Sequence, residues 1–443
     1  MQSPSISIPA TDWAKESEGL SAGAVTANHY NYAMNFVEIA IPFFILAMAV
    51  ELAYGAWKKN QTYRLNDAVA SLMMGSLSQL VGVLRLSFAA VVFAGAVEFL
   101  GVVAWTPEHW WHWVVAFVAY DLCYYWKHRF GHEWRIMWAS HSAHHQSEEY
   151  NLSTALRQTS TDYIGFVFYL PMYLAGTPAY VMISVGTLNL VYQFWVHTQH
   201  VDRLGVLDYL LVTPSNHRVH HAKNPSYIDK NYGGFFIIWD RLFGTFCDER
   251  NDEKPVYGIT HGLRSWNPLW ANAIVWWHTL ILAVKAPRWR DKVAVWFKGP
   301  GWFPQGLEPR DEDSFGWADQ YNPSVPQSTK TYVFLQYVVL TAAGFALTAV
   351  QGDLARPGVL AVFGLIAGSM YVVGLWLEHR AYRFVFDLGR AVLLISAGLW
   401  MPLLAANGEG TTWVMQSLGL ANLVLLALLY RLQLSERSVA ALS

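Results

Sequence analysis

Residues 110–132 read WWHWVVAFVAYDLCYYWKHRFGH. From Trp110 to Trp126 the run is almost wholly apolar and aromatic, and a bilayer core takes about 20 residues of helix. It passes without a proline into HRFGH, which sets His128 and His132 four residues apart. On a helix that spacing leaves two side chains about 40° apart around the axis and about 6 Å along it, so both imidazoles point the same way. A membrane helix that ends in paired imidazoles predicts an all-α polytopic membrane bundle with a metal-binding region at one surface.

Two further motifs extend that region: HSAHH (His141, His144, His145) and HRVHH (His217, His220, His221). The three motifs hold eight of the sixteen histidines. Neutral imidazole is the commonest ligand for zinc, iron, copper and nickel, and eight ligands exceed what one ion accepts, so the arithmetic favours two metals. Because binding needs neutral imidazole and free histidine titrates near pH ~6.5, the metal is expected to leave as pH drops below about 6. His29, His109, His112, His261, His278 and His379 stand outside this pattern and are assigned no role. A closed structural zinc site would more usually use cysteine. The two cysteines, Cys123 and Cys247, form no CxxC and give no disulfide framework, which suits a reducing compartment.

Composition agrees with a membrane location. Hydrophobic residues make up 54% and charged residues 14%, against about 25% charged in ordinary soluble domains. Many of the 22 tryptophans flank apolar runs, as interfacial belts do. The net charge of −2 comes with no basic aromatic tract, so no nucleic-acid partner is expected. Residues 1–33 form a polar segment without the basic start and apolar run of a secretory signal.

The remaining apolar runs give the topology. Runs at 34–52 and 68–103 precede the 110–126 run, with Thr106, Pro107 and Glu108 marking a turn. Lys58, Lys59 and Arg64 fall on the side where Lys127, Arg129 and Arg135 emerge, so the positive-inside rule assigns the histidine face to the cytoplasm. A second hairpin at 163–195 bends at Gly176, Thr177 and Pro178, has a short first arm, and returns to His197 and His200 in WVHTQH. Residues 202–265 are polar and contain the third motif, and 268–284 read as an interfacial or re-entrant helix. Together 34–284 make a membrane-embedded catalytic domain. Residues 285–330, rich in Pro, Gly and acids, read as a linker to a C-terminal transmembrane module at 331–435 that lacks histidine motifs.

Hydrolytic dimetal sites and soluble diiron bundles use bridging or chelating carboxylates. These motifs are almost free of them. Asp121, Glu133, Glu148, Glu149 and Asp240 lie nearby and are expected to orient ring nitrogens, with one of them open to direct ligation.

The order HRFGH, HSAHH, HRVHH in a multi-helix membrane protein resembles the fatty acid hydroxylase superfamily of membrane-bound diiron oxygenases, which includes sterol desaturases and sphingolipid hydroxylases. Residues 115–246 carry the likeness. HSAHHQSEEYNLSTALRQ, FWVHTQ and TPSNHRVHHAKNPSYIDKNYGGFFIIWDRLFGTF are most similar to the branch that cleaves alkylglycerol ether lipids, and FKGPGWFPQG at 297–306 extends the match. The resemblance implies two irons, molecular oxygen, a lipid substrate and, for this branch, tetrahydrobiopterin or another reduced donor. By position it implies His128, His132, His141, His144, His145, His217, His220 and His221 as ligands and His197 as a ninth. His200 stays open. Glu133, Asn231 and Asp240 fall in motif positions and are expected to support the ligands.

The expected reaction hydroxylates the carbon beside the ether oxygen, and the resulting hemiacetal collapses to a fatty aldehyde and glycerol. A sterol or fatty acyl hydroxylase or desaturase is the alternative within the superfamily. Metal transport would favour ionisable groups inside the spanning helices, which hold few. A purely structural metal protein is the third class.

Overall fold

The computed structural model describes residues 34–100, 103–308, 319–400, 417 and 419–431. The polar segment 1–33, part of the expected linker (309–318) and most of 401–418 lie outside the described residues.

The described chain is helical, and its bridges are two isolated pairs, Leu211 with Phe236 and Ala222 with Tyr257. Helices α1 (Phe36–Lys58) and α2 (Leu65–Leu100) follow the first two apolar runs. Helix α3 (Trp110–Glu133) continues unbroken from its apolar run through HRFGH. Trp134 alone, in extended backbone (φ −113°, ψ 124°), separates it from α4 (Arg135–His145), which carries HSAHH. The short α5 (Leu152–Ala155) is followed by the second hairpin. Its first arm is a 3-10 turn, Gly165–Tyr169, continued by α6 (Leu170–Leu174), and its second is α7 (Ala179–Trp195). The bend needs Gly176: its φ is +78°, and a Cβ there would meet Val103 O at 2.5 Å. Helices α8 (Leu207–Leu210), α9 (Pro214–His221, with HRVHH) and α10 (Ile238–Phe243) follow. Then come α11 (Pro268–Lys285), α12 (Trp289–Phe297), α13 (Gln327–Val350), α14 (Arg356–Leu377), α15 (Arg383–Trp400) and α16 (Gly419–Arg431).

Helices α1, α13 and α14 are long and apolar enough to cross a membrane. The helices after residue 326 do not stand apart. Val69, Met73 and Leu77 of α2 share one apolar core with Val333 and Leu340 of α13 and Met370 and Val373 of α14.

The stretch expected to be a linker is different from a tether in its described part. It contains α12, whose Val295 is fully buried, and it is pinned to α4 beyond that helix. Arg135 N donates to Lys298 O (2.9 Å), and Arg135 Nη2 donates to Pro300 O and Trp302 O (2.5 Å each). Gly and Pro hide this order from a periodicity reading, because the carbonyls that bind Arg135 carry no side-chain pattern.

Candidate metal centre

Four elements converge on one buried volume. Helix α3 brings His128 and His132, and α4 brings His141, His144 and His145. The turn after α7 brings His197, and α9 brings His217, His220 and His221. Helix α9 starts where it does because Thr213 caps it: Thr213 N donates to Asn216 Oδ1 (3.2 Å), and Pro214 fills the first turn.

The nine imidazoles fall into two groups. His128, His132, His141, His145 and His220 form one, and His144, His197, His217 and His221 the other; within each, the candidate ligand atoms lie within 4.8 Å of one another. In the first, Nε2 of His141 lies 3.0 Å from that of His128 and 3.1 Å from that of His145, which is 3.1 Å from that of His220. In the second, Nε2 of His197 lies 3.1 Å from that of His217, 3.2 Å from that of His221 and 3.4 Å from that of His144.

These contacts cannot all be hydrogen bonds. His144 Nδ1–H donates to Arg157 O (2.9 Å) and His197 Nδ1–H donates to Gln193 O (2.7 Å). Each neutral ring has one N–H, so both Nε2 atoms carry bare lone pairs and face each other. In the first group His128 Nδ1–H donates to Tyr232 O (2.7 Å) and His220 Nδ1–H to Lys230 O (3.0 Å), which turns their lone pairs inward too. His132 Nε2 is buried with no hydrogen-bond partner. Converging lone pairs repel unless a cation lies between them. Imidazole nitrogens held about 2.1 Å from one ion are ~3.0 Å apart at right angles and ~3.4 Å apart at the tetrahedral angle, the spacing seen here. The donor set fits two metal ions.

Burial keeps the rings neutral. It holds His144 at about 4 and His220 at about 3, although the carbonyls of Arg157 and Lys230 favour the charged forms. His141, His145, His197, His217 and His221 are held well below the usual histidine range, first by burial and then by neighbouring rings.

The supporting residues divide. Asp240 accepts from Tyr232 N and Gly233 N (2.7 Å each) and from Thr245 Oγ1 (2.7 Å), and burial raises it to about 6. Asn231, at φ +57°, donates through Nδ2 to Asn216 O (3.0 Å) and Cys247 O (2.8 Å). Neither touches a ring in these contacts. Both fix the 230–232 backbone, whose carbonyls orient His128 and His220. Asp121 similarly accepts from Phe235 N (2.8 Å), Phe236 N (3.0 Å) and Trp239 Nε1 (2.9 Å).

Glu133 instead pairs with Arg129 (2.8 Å). Glu148 and Glu149 pair with Arg64 (3.3 and 2.5 Å). His200 lies against Thr62 and Tyr54, outside both groups. Two arginines escaped the sequence reading. Arg157, 1% exposed, presents the carbonyl that orients His144 while its guanidinium donates to Ala143 O (2.8 Å). Arg218, paired with Glu249 (2.7 Å), donates to Thr198 O (3.0 Å) and ties α9 to the His197 turn. Arg157 is one charge in a polar stretch with no spacing to mark it, and Arg218 sits inside HRVHH, where the histidines carry the pattern.

A helical membrane scaffold with nine imidazoles in two groups suits a metal-dependent membrane enzyme, and the fatty acid hydroxylase family model, which matches residues 113–245, gives the class. Alkylglycerol monooxygenase of Xenopus tropicalis is 34% identical over 373 residues, covering 82% of this chain and 81% of that protein. The human protein of that name is 35% identical over 373 residues, with 82% of each chain covered, and that of Danio rerio 34% over 383 residues, with 84% of each. No solved structure gives a significant match. The chain belongs to the alkylglycerol monooxygenase family and is an oxidoreductase.

Proposed function

We propose that this protein is a membrane-bound diiron monooxygenase that hydroxylates the carbon next to the ether oxygen of alkylglycerol lipids, yielding a fatty aldehyde and glycerol product. The observation that carries the reading is the pair of imidazole groups, five and four, with lone pairs facing inward, in a chain of this family. His128, His132, His141, His145 and His220 would hold one iron, and His144, His197, His217 and His221 the other. Two irons bound there supply oxygen activation and removal of hydrogen from an unactivated C–H bond.

The chain's own residues do the rest. The carbonyls of Tyr232, Lys230, Arg157 and Gln193 hold four rings in the tautomer that leaves Nε2 free. Asp240 and Asn231 fix two of those carbonyls. Burial keeps the imidazoles neutral and excludes water from the centre. A hydroxyl placed on the ether carbon makes a hemiacetal, which expels the glycerol oxygen without a hydrolytic nucleophile. The lipid chain lies among apolar helices with its head near the polar surface. A reduced pterin, tetrahydrobiopterin by resemblance, or another donor supplies electrons. The histidine face is on the cytoplasmic side, with 34–284 as the catalytic unit and 331–435 as the C-terminal module.

The test is turnover by purified, iron-loaded protein holding close to two irons per chain, given oxygen and reduced tetrahydrobiopterin. A 1-alkyl glycerol should give aldehyde, and the matching 1-acyl glycerol should not, because the ester carbonyl carbon bears no hydrogen. Unchanged alkyl glycerol with oxidation of a sterol or acyl chain would move the assignment to that branch. One metal per chain would remove the dinuclear reading.

A further inference from the structure

The corner between α11 and α12 combines an apolar cleft with basic residues. Along α11, Trp270, Trp277, Leu280 and Val284 form one exposed apolar stripe. On α12, Trp289, Val293 and Phe297 recur every four residues and are exposed too, Trp289 by 78%. Between the helices lies a cleft of about 390 Å³ lined by Leu280, Ala283, Val284, Trp289, Val293 and Trp296, the size of an acyl-chain segment rather than a water site. Cations share the corner. Residues 285–298 contain Lys285, Arg288, Arg290, Lys292 and Lys298 against one acid, Asp291. Lys285, Arg288, Arg290 and Lys298 are exposed, with Arg288 donating to Gln305 Oε1 (3.1 Å) and Arg290 lying 3.9 Å from Asp291, whereas Lys292, which also lines the cleft, is spent on the end of α11, donating to Ala283 O (3.3 Å) and Val284 O (2.5 Å).

An apolar slot, tryptophans at its rim and exposed cations on the same corner form the chemistry that holds a lipid with a negative headgroup: the chain enters the slot and the phosphate meets the basic side chains. We propose that the α11–α12 corner is a binding site for an anionic glycerophospholipid. The site is separate from the imidazole groups, but α12 is joined to them through α4: the chain just after it caps Arg135 at the start of the helix that carries His141, His144 and His145. Occupancy would steady that helix from its membrane side.

Native mass spectrometry of the detergent-purified full chain, titrated with dioleoyl phosphatidylglycerol or dioleoyl phosphatidylcholine, reads the site directly and does not depend on which substrate is oxidised. Each basic side chain beside an anionic headgroup strengthens binding by about fivefold. Replacing all four exposed cations (Lys285→Gln, Arg288→Gln, Arg290→Gln, Lys298→Gln) should therefore weaken the first phosphatidylglycerol at least tenfold and leave phosphatidylcholine unchanged. Fold integrity is read from iron content, since none of the four side chains contacts the metal region. Val293→Asn, a polar but uncharged change at an exposed position in the slot, should weaken the dioleoyl lipid and leave binding of the dibutanoyl lipid, too short to fill the cleft, unaltered. Inorganic phosphate at millimolar concentration should not displace the lipid. Equal affinity of the native protein for the two headgroups, unchanged affinity in the fourfold variant, or displacement by phosphate alone would each overturn the proposal.

Discussion

Asp240 and Glu133 are both acids beside histidine motifs, yet they do different things, and a metal-affinity measurement should separate them. Asp240→Asn replaces a carboxylate oxygen that accepts from the 232–233 backbone with an NH2 that cannot, so the carbonyl orienting His128 loses its support. Iron affinity, measured by competition with a chelator, should fall by about 10–100-fold. Glu133→Gln, whose partner is Arg129, should leave it unchanged. The pH response follows from burial. Above pH ~6.5 neither folded nor unfolded His144 is protonated; between there and about 4 the unfolded chain takes up a proton that the folded chain refuses, so stability is lost as pH falls through this window. His220 extends it to about 3. The melting temperature should thus drop from pH 6.5 downward, with iron leaving in the same step as the tertiary structure. Iron leaving the folded protein with a midpoint near 6.5 would contradict this. The sequence alone placed that loss below about pH 6, because spacing reveals which imidazoles converge and not how deeply they are buried. The eight motif histidines were legible because helical spacing is written in side chains, and His197 came from the resemblance. The orienting carbonyls at 157, 193, 230 and 232 were not, since every residue has one.

At the scale of elements, the helices with uniform apolar runs were readable and the contacts between them were not. Helix α3 was visible because its membrane run and its histidine pair share one period. Helix α12 was not, being nine residues bounded by Pro287 and Gly299. The approach of α2 to the metal region was also hidden. Gly75 lets it happen: a Cβ there would collide with Leu156 O, next to Arg157, whose carbonyl orients His144. Ser71, one turn earlier, accepts from Arg157 Nη1 (3.4 Å), so α2 and that segment are joined at two points. Gly75→Ala has no flexible side chain to push aside, only backbone, and should cost about 1–3 kcal/mol. Thermal unfolding in detergent should report the loss, and because the strain lands beside His144, iron should be lost from the four-histidine group before the five-histidine group. A variant with native melting temperature and full iron would mean that the two elements slide apart freely.

For the whole molecule, the polar and apolar ends are set by where the connections fall. The α1–α2 connection touches the histidine module, since Asn151 Nδ2 donates to Thr62 O (2.6 Å) and Glu51 of α1 accepts from Leu152 N (2.8 Å). The α2–α3 connection meets the α6–α7 bend instead, where Trp105 N donates to Gly176 O (3.1 Å). Helices α3 and α7 both run from that bend toward the imidazoles, so these two connections lie at opposite ends of the first bundle. At about 1.5 Å per residue the 36 residues of α2 reach ~54 Å, more than the ~30 Å apolar thickness of a bilayer, and its first turns place Asp67 and Ser71 among buried polar groups. Lys58, Lys59, Arg64, Lys127, Arg129 and Arg135 collect at the histidine end, and the positive-inside rule is what supports our proposal that this end faces the cytoplasm. In a chain with Cys123 and Cys247 replaced, single cysteines within 53–67, 127–160 and 198–265 should therefore react with an impermeant thiol reagent only when the cytoplasmic face is open to it. A cysteine at position 108 should react only from the other side, because Glu108 follows the Trp105 contact at the far end. Labelling of position 108 from the cytoplasmic face would invert or fold back the first hairpin, and the charge argument would fail with it.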